Sequence, residues 1–264
     1  MSELTTAFHH PPAFMPYFPI GYPSLPVSVD VIEALARGGA DLIEVGLPFS
    51  DPLADGPVIQ RATQIALQQG ATVAKCLAAV AELRQRGVSV PLVLMGYYNP
   101  LLSYGLARLA GAAEAAGASG FVVPDLPPEE AGEMEAALPS SLPLIRMLAP
   151  TTPPERATRI AAGARGFLYL VSVTGTTGAR SELPPGLPDF IARVRRDAPA
   201  GLPLCVGFGI STPEQGRAVG ALADGIIVGS ACVKTIGEAA DPVAAAEKFA
   251  REFKAALNAI ASEK

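Results

Sequence analysis

The stretch Asp41-Leu-Ile-Glu44-Val-Gly46-Leu-Pro48-Phe-Ser-Asp51-Pro-Leu-Ala-Asp55-Gly-Pro57 places a carboxylate inside a short apolar run and follows it with an acidic loop punctuated by Pro and Gly. Leu42, Ile43, Val45 and Leu47 are dense enough for a strand covered on both faces, the pattern of a parallel sheet buried between helices. A glutamate in such a strand cannot simply turn to water. It is held neutral, paired or used. Desolvation raises a carboxyl pKa toward the range where the group both gives and takes a proton near neutral pH. Asp55, at the far end of the loop, supplies a second carboxylate free to swing toward the first.

Outward from this run, apolar segments of strand length alternate with Ala-rich amphipathic segments along the whole chain. The strands are expected at Phe14 to Ile20, Leu42 to Gly46, Leu92 to Met95, Gly120 to Val123, Leu144 to Leu148, Gly166 to Val171, Leu204 to Gly207 and Gly225 to Val228. Helices are expected near Val29 to Arg37, Val58 to Gln68, Thr72 to Arg86, Leu106 to Ala116, Glu129 to Ala137, Glu155 to Ala162, Leu187 to Arg195, Pro213 to Val219, Ala231 to Ile236 and Pro242 to Ala261. Strands separated by helices imply crossover connections and a parallel sheet. Eight such units predict closure into a single (β/α)8 TIM barrel, with extra helices after strands 2 and 8. The alternative, an open doubly wound sheet, lacks a G-x-G-x-x-G after its first strand. Pro16 and Pro19 each remove a ladder donor from strand 1, which is therefore expected to be short or bulged.

A chain of 264 residues suits one barrel domain, with residues 1–12 as a loosely ordered leader. The balance of 20 basic to 25 acidic residues gives −5, and the basic residues are scattered. No nucleic-acid or membrane face is expected. No basic segment leads into an apolar run near Glu3, so no secretory signal is read. Cys76, Cys205 and Cys232 form no C-x-x-C pair and suit a reducing, cytoplasmic setting as core residues. The two histidines, His9 and His10, both lie in the leader. A His-dependent nucleophile or a His-built metal centre is excluded unless that leader folds into the site, and no metal is expected. Lys75, Lys234, Lys248, Lys254 and Lys264 fall in predicted helices or the tail, so none stands on a strand to form a Schiff base. A carbon–carbon cleavage here would have to run through carboxylates.

Alternation puts Leu42, Glu44 and Gly46 on the inner face of the barrel and Ile43 and Val45 against helices. The competing structural reading pairs Glu44 with Arg146, the only basic residue inside a predicted strand, whose facing alternation leaves open. Asp51 is explained by turn chemistry better than Asp55 is. Gly207-Phe208-Gly209-Ile210-Ser211 follows strand 7, and Gly229-Ser230-Ala231 opens a short helix after strand 8. Barrel enzymes hold phosphate at this place, on backbone N–H groups and the positive end of a helix. Gly175-Thr-Thr-Gly178, after strand 6, could close over the same group as part of a lid reaching Gly186. Phe14, Tyr17, Phe18, Leu94, Tyr97, Val122, Met147, Tyr169 and Phe208 lie on or just beyond strand ends. Those that face inward would suit a planar apolar group joined to a phosphorylated tail.

The segment from Leu42 to Pro57 closely resembles the signature of the tryptophan synthase alpha subunit family. Pro124-Asp125-Leu126-Pro127, Tyr169-Leu-Val-Ser172, Gly175-Thr-Thr-Gly178, Gly207-Phe-Gly-Ile-Ser211 and Gly229-Ser230 match it as well. The resemblance spans roughly Ala13 to the C-terminus. It implies a (β/α)8 lyase that splits indole-3-glycerol phosphate into indole and glyceraldehyde 3-phosphate by a retro-aldol reaction. By motif, Glu44 is the acid/base at indole C3 and the glycerol hydroxyl, and Asp55 receives the indole N–H. Tyr169 is a site tyrosine, and Gly178, Gly209, Gly229 and Ser230 bind phosphate. Tyr17, Leu94, Val122, Met147 and Phe208 are the candidates for the indole pocket. The resemblance further implies an alpha-beta-beta-alpha heterotetramer with a beta subunit that carries pyridoxal phosphate, the loops around Asp51 and Asn99-Pro100 matching the contact region. This chain itself would need no cofactor. Tyr22 replaces the aspartate of a Gly-Asp-Pro pattern, which alters a loop contact and leaves both carboxylates in place. Three other readings remain open: a phosphosugar isomerase or epimerase, an idle regulatory subunit, and a free-standing indole-releasing lyase.

Overall fold

The computed structural model describes residues 3–171, 186–207 and 209–261. Its elements run β1 (Ala13–Pro19), α1 (Leu25–Arg37), β2 (Ile43–Gly46), α2 (Pro57–Gln68), α3 (Val73–Gln85), β3 (Leu92–Met95), α4 (Tyr98–Tyr104), α5 (Leu106–Ala116) and β4 (Gly120–Val122). They continue with α6 (Gly132–Ala137), β5 (Leu144–Leu148), α7 (Pro154–Ala162), β6 (Leu168–Val171), α8 (Leu187–Asp197), β7 (Leu204–Gly207), α9 (Pro213–Gly220), β8 (Gly225–Val228), α10 (Ser230–Gly237) and α11 (Pro242–Ala261). The strands close in chain order β1 to β8, and the pairings are parallel. The expected TIM barrel is therefore the fold, with its extra helices α3 and α10.

Register decides which side chains face the barrel interior. Tyr17 pairs with Glu44 and Glu44 with Val93. Val122 pairs with Met95 and Ile145, Met147 with Tyr169, and Tyr169 with Cys205. Paired residues share a face, so these side chains line one continuous inner surface. Phe14, Phe18 and Leu94 belong to the other parity. Phe14 stacks outward on Phe253, with ring centroids 5.2 Å apart. Leu94, expected in the pocket, pairs with Val45 and Phe121 and packs outside the strands under the helices. Met95, one residue on, takes the inner position. Arg146 also faces out and pairs with Glu135 of α6 at 2.8 Å, which removes it as a partner for Glu44.

β1 is neither short nor absent from its ladders; at seven residues it exceeds every other strand among the described residues. Both prolines are accommodated by stagger. β1 pairs with β8 over Ala13 to Pro16 and with β2 over Tyr17 to Pro19. Donors alternate sides, as Ala13 N–H reaches Asp224 O before β8 and Ile20 N–H reaches Gly46 O on β2. Pro16 thus lacks its N–H on the side where β2 has not yet begun, and Pro19 on the side where β8 has ended.

The leader is not loose from Glu3 onward. Residues Glu3–Phe8 form a 3-10 helix, and Leu4 and Ala7, eclipsed at i and i+3, are buried. Leu4 lies over Gly120 and Gly166 at the N-terminal end of the barrel, where any Cβ on Gly166 would come within 2.9 Å of it. Phe8 packs on Phe167 at 6.0 Å. α4 was also not foreseen. Pro100 sits in its first turn, where a missing N–H costs nothing, and Asp125 accepts the Tyr98 N–H at 2.9 Å.

A recurring device fastens the same end of the barrel. Asp41, just before β2, accepts the Phe14 N–H of β1 at 2.7 Å and pairs with Lys254 of α11 at 2.6 Å. Asp224, before β8, accepts the Leu204 N–H of β7 at 2.7 Å and pairs with Arg195 of α8. Ser119, before β4, accepts from Leu92 of β3 and from Arg84. Each side chain satisfies a strand-end donor that the parallel ladder leaves over.

Candidate active site

Glu44 stands mid-strand on β2, facing inward, with 1 % of its surface exposed. Its Oε1 is buried with no hydrogen-bond partner among the described residues. Burial pushes its carboxyl from the ordinary 4.5 up to about 8, so it is protonated at neutral pH. Asp55 ends the loop that leaves β2, and it is also buried. Burial raises its pKa to about 6, and a hydrogen bond from the Tyr97 hydroxyl, 3.0 Å from Oδ2, pulls the other way. The two carboxyls therefore stand in different protonation states near pH 7, one acid and one base. Asp55 does not swing freely. Tyr97 holds its carboxylate, and Gln60 of α2 holds its carbonyl at 2.8 Å. Its Oδ1 remains buried and without a partner among the described residues.

Two tyrosines on different strands interact with both groups. Tyr17 on β1 and Tyr169 on β6 have phenol pKa values driven well up, first by burial and then by the charges of both Asp55 and Glu44. Their rings lie over glycines. A Cβ on Gly46 would come within 2.3 Å of the Tyr17 hydroxyl, and one on Gly207 within 2.2 Å of the Tyr169 hydroxyl. Val122 and Met147 add apolar inner wall, so the structure brings Tyr17, Val122, Met147 and Tyr169 together with both carboxylates and leaves Leu94 outside.

At the exits of the neighbouring strands β7 and β8, Gly209 has a φ of +85°, a conformation that favours glycine. Gly229 precedes α10, and a Cβ there would touch Tyr17 at 3.8 Å, which places this helix start beside the mouth. Ser230 opens α10 with its Oγ buried and without a partner among the described residues. A helix start with open N–H groups and an uncommitted hydroxyl is suited to an anion. Gly178 and the rest of the Gly175 to Gly178 loop, together with Phe208, lie outside the described residues. Among the described residues no group of three or more His, Cys, Asp or Glu could hold a metal ion, and no helix is long and apolar enough to cross a membrane.

Sequence reasoning named Tyr97 only as a mouth aromatic and passed over Met95. The hydrogen bond from Tyr97 to Asp55 joins loops 42 positions apart, and no local pattern announces it. Met95 was recoverable, since it lies on the opposite parity to the Leu94 chosen in its place.

A closed parallel barrel with paired buried carboxyls and an anion-ready helix start at its C-terminal mouth is the architecture of a (β/α)8-barrel enzyme. The family model for the tryptophan synthase alpha chain matches residues 5–261. The tryptophan synthase alpha chain of Chloroflexus aurantiacus is 51% identical over 248 residues, covering 93% of this chain and 92% of that one. That of Roseiflexus castenholzii is 54% identical over 242 residues, covering 90% and 92%. A solved structure of Mycobacterium tuberculosis tryptophan synthase aligns with a TM-score of 0.88 at 38% identity, covering 97% of this chain and 98% of that one. The chain belongs to the tryptophan synthase alpha chain family.

Proposed function

We propose that this chain cleaves indole-3-glycerol phosphate to indole and glyceraldehyde 3-phosphate, a carbon–carbon lyase reaction in tryptophan biosynthesis. The observation that carries this reading is the opposed protonation of two buried carboxyls in one mouth. Protonated Glu44 delivers its proton to indole C3, and the ring becomes an indolenine cation whose N–H is received by the ionised Asp55. The Glu44 carboxylate then takes the proton of the glycerol hydroxyl next to the ring. The carbon–carbon bond breaks, its electron pair returns to the ring, and the hydroxyl carbon leaves as an aldehyde. Glu44 ends as it began, so the cycle needs no net proton and no covalent intermediate. Tyr17, Val122, Met147 and Tyr169 enclose the ring, with Phe208 as a further wall. Gly209, Gly229 and Ser230 receive the phosphate, joined by Gly178.

This reading assigns no cofactor to the chain. Its partner is a beta subunit carrying pyridoxal phosphate, in a cytoplasmic alpha-beta-beta-alpha heterotetramer. Two of the exposed large hydrophobics support docking beside the mouth: Leu53, 83% exposed on the loop after β2, and Leu102, 43% exposed on α4. Glu44→Gln tests the chemistry directly. Indole release should fall by on the order of a thousandfold, while an indole bearing a phosphorylated alkyl tail still binds within a few fold; retained turnover would remove Glu44 from the proton path.

A further inference from the structure

Asp55 lies at the end of an exposed loop, yet its carboxylate is fixed from another strand. The Tyr97 hydroxyl accepts the Ala54 N–H at 3.0 Å and donates to Asp55 Oδ2 at 3.0 Å. One phenol thus grips two successive residues of the loop after β2. It is itself rigidly seated, with 4% exposure and its ring 5.5 Å from Phe49. It directly precedes α4, whose first N–H is bound by Asp125 from the exit of β4. The Gln60 side chain fixes the Asp55 carbonyl and does not touch its carboxylate.

We infer that Tyr97 is the positioning residue of this site: its hydroxyl, held between the Ala54 N–H and Asp55 Oδ2, turns Asp55 Oδ1 toward the ring nitrogen of the substrate. The inference rests on the role given to Asp55 above. The titratable groups that interact with Asp55 are Tyr97 from the exit of β3, Tyr17 from β1 and Tyr169 from β6, and the last two also feel Glu44 of β2. None of them is cationic. Hydrogen bonding from Tyr97 is accordingly what opposes the desolvation of the carboxylate. Removing the hydroxyl leaves Oδ2 without its donor and Ala54 N–H without its acceptor, so the loop loses both constraints together.

Tyr97→Phe keeps the ring on Phe49 and deletes only the hydroxyl. In the full-length chain, kcat for indole release should fall on the order of ten- to a hundredfold, with KM within about threefold, because orientation rather than binding is lost. The acid limb of the pH–rate profile should move to higher pH as Asp55 holds its proton longer. In an Asp55→Asn background the same substitution should cost little further, as expected of two groups acting as one unit. An unchanged kcat and acid limb in Tyr97→Phe, with Asp55→Asn crippled, would overturn the positioning role alone. Equal losses from Tyr97→Phe with and without Asp55 would overturn it too, by showing a structural effect independent of the carboxylate. Near-normal turnover of Asp55→Asn would instead remove the role of Asp55 on which the inference stands.

Discussion

Glu44→Gln should make the protein more stable, and increasingly so as pH rises. The buried carboxyl titrates at about 8 in the folded chain, against 4.5 for an ordinary glutamate. Below pH 4.5 both folded and unfolded chains hold this proton, and burial of the carboxyl carries no charge penalty there. Between 4.5 and 8 the unfolded chain releases the proton and the folded chain retains it, so folded stability declines as pH climbs through that window. Each pH unit across the window is worth about 1.4 kcal/mol. The accumulated cost is about 3 kcal/mol at pH 7 and approaches 5 kcal/mol above pH 8, an upper figure because a buried carboxyl relaxes on ionising. Glutamine has nearly the same shape and no proton to release. Denaturant midpoints for wild type and variant, measured from pH 4 to 8.5, should therefore coincide near pH 4 and diverge above it. The difference between the two proteins cancels every other titrating group not coupled to Glu44. A stability difference that does not change with pH, or a glutamine variant weaker at pH 8, would refute a neutral buried Glu44 and with it the acid in the mechanism.

The same two carboxyls predict a bell-shaped kcat/KM, rising with an apparent pKa near 6 and falling near 8; a profile flat from pH 5 to 9 would contradict the assignment. Asp41→Ala should lower stability by about 1–3 kcal/mol by leaving the Phe14 N–H and Lys254 without their acceptor, with kcat unchanged, as read by denaturation and steady-state assay. For Ser230→Ala we expect KM for the phosphorylated substrate to rise a few fold at constant kcat; a loss confined to kcat would mean the hydroxyl does not hold the ground-state phosphate.

The parts of this molecule legible in sequence are those written locally. β2 is announced by its own apolar run, and Glu44 by its intrusion into that run, so both the strand and the acid were readable without any partner. The leader helix was hidden because Leu4 and Ala7 are too few to form a pattern; what orders them is the open end of a barrel that exists only after folding. α4 was masked by Pro100, which reads as a breaker unless it is known to occupy the first turn. Leu94 lies near its strand end as a pocket residue would, but its parity turns it away from the interior. Parity on β3 is set by pairing with Glu44 across the barrel wall, and that register is a property of closure. Arg146 failed to resolve for the same reason.

The acidity of Glu44 is likewise made by neighbours that carry no charge of their own. Tyr17 is its register partner, and Gly46 lies two residues beyond it on the same face. Gly46 must lack a side chain for the Tyr17 phenol to lie across it, and Gly207 must lack one for Tyr169. The two phenols close the inner space around the carboxyl from β1 and β6, and burial is the cause of its raised pKa. A methyl group at either glycine would push a phenol aside, admit water beside Glu44, and return its pKa toward that of an ordinary carboxylate. An acid strong enough to protonate a carbon and weak enough to hold its proton at neutral pH therefore depends on two absent side chains, one on β2 and one on β7. The glycines that sequence reading takes for strand ends are here part of what sets the proton chemistry.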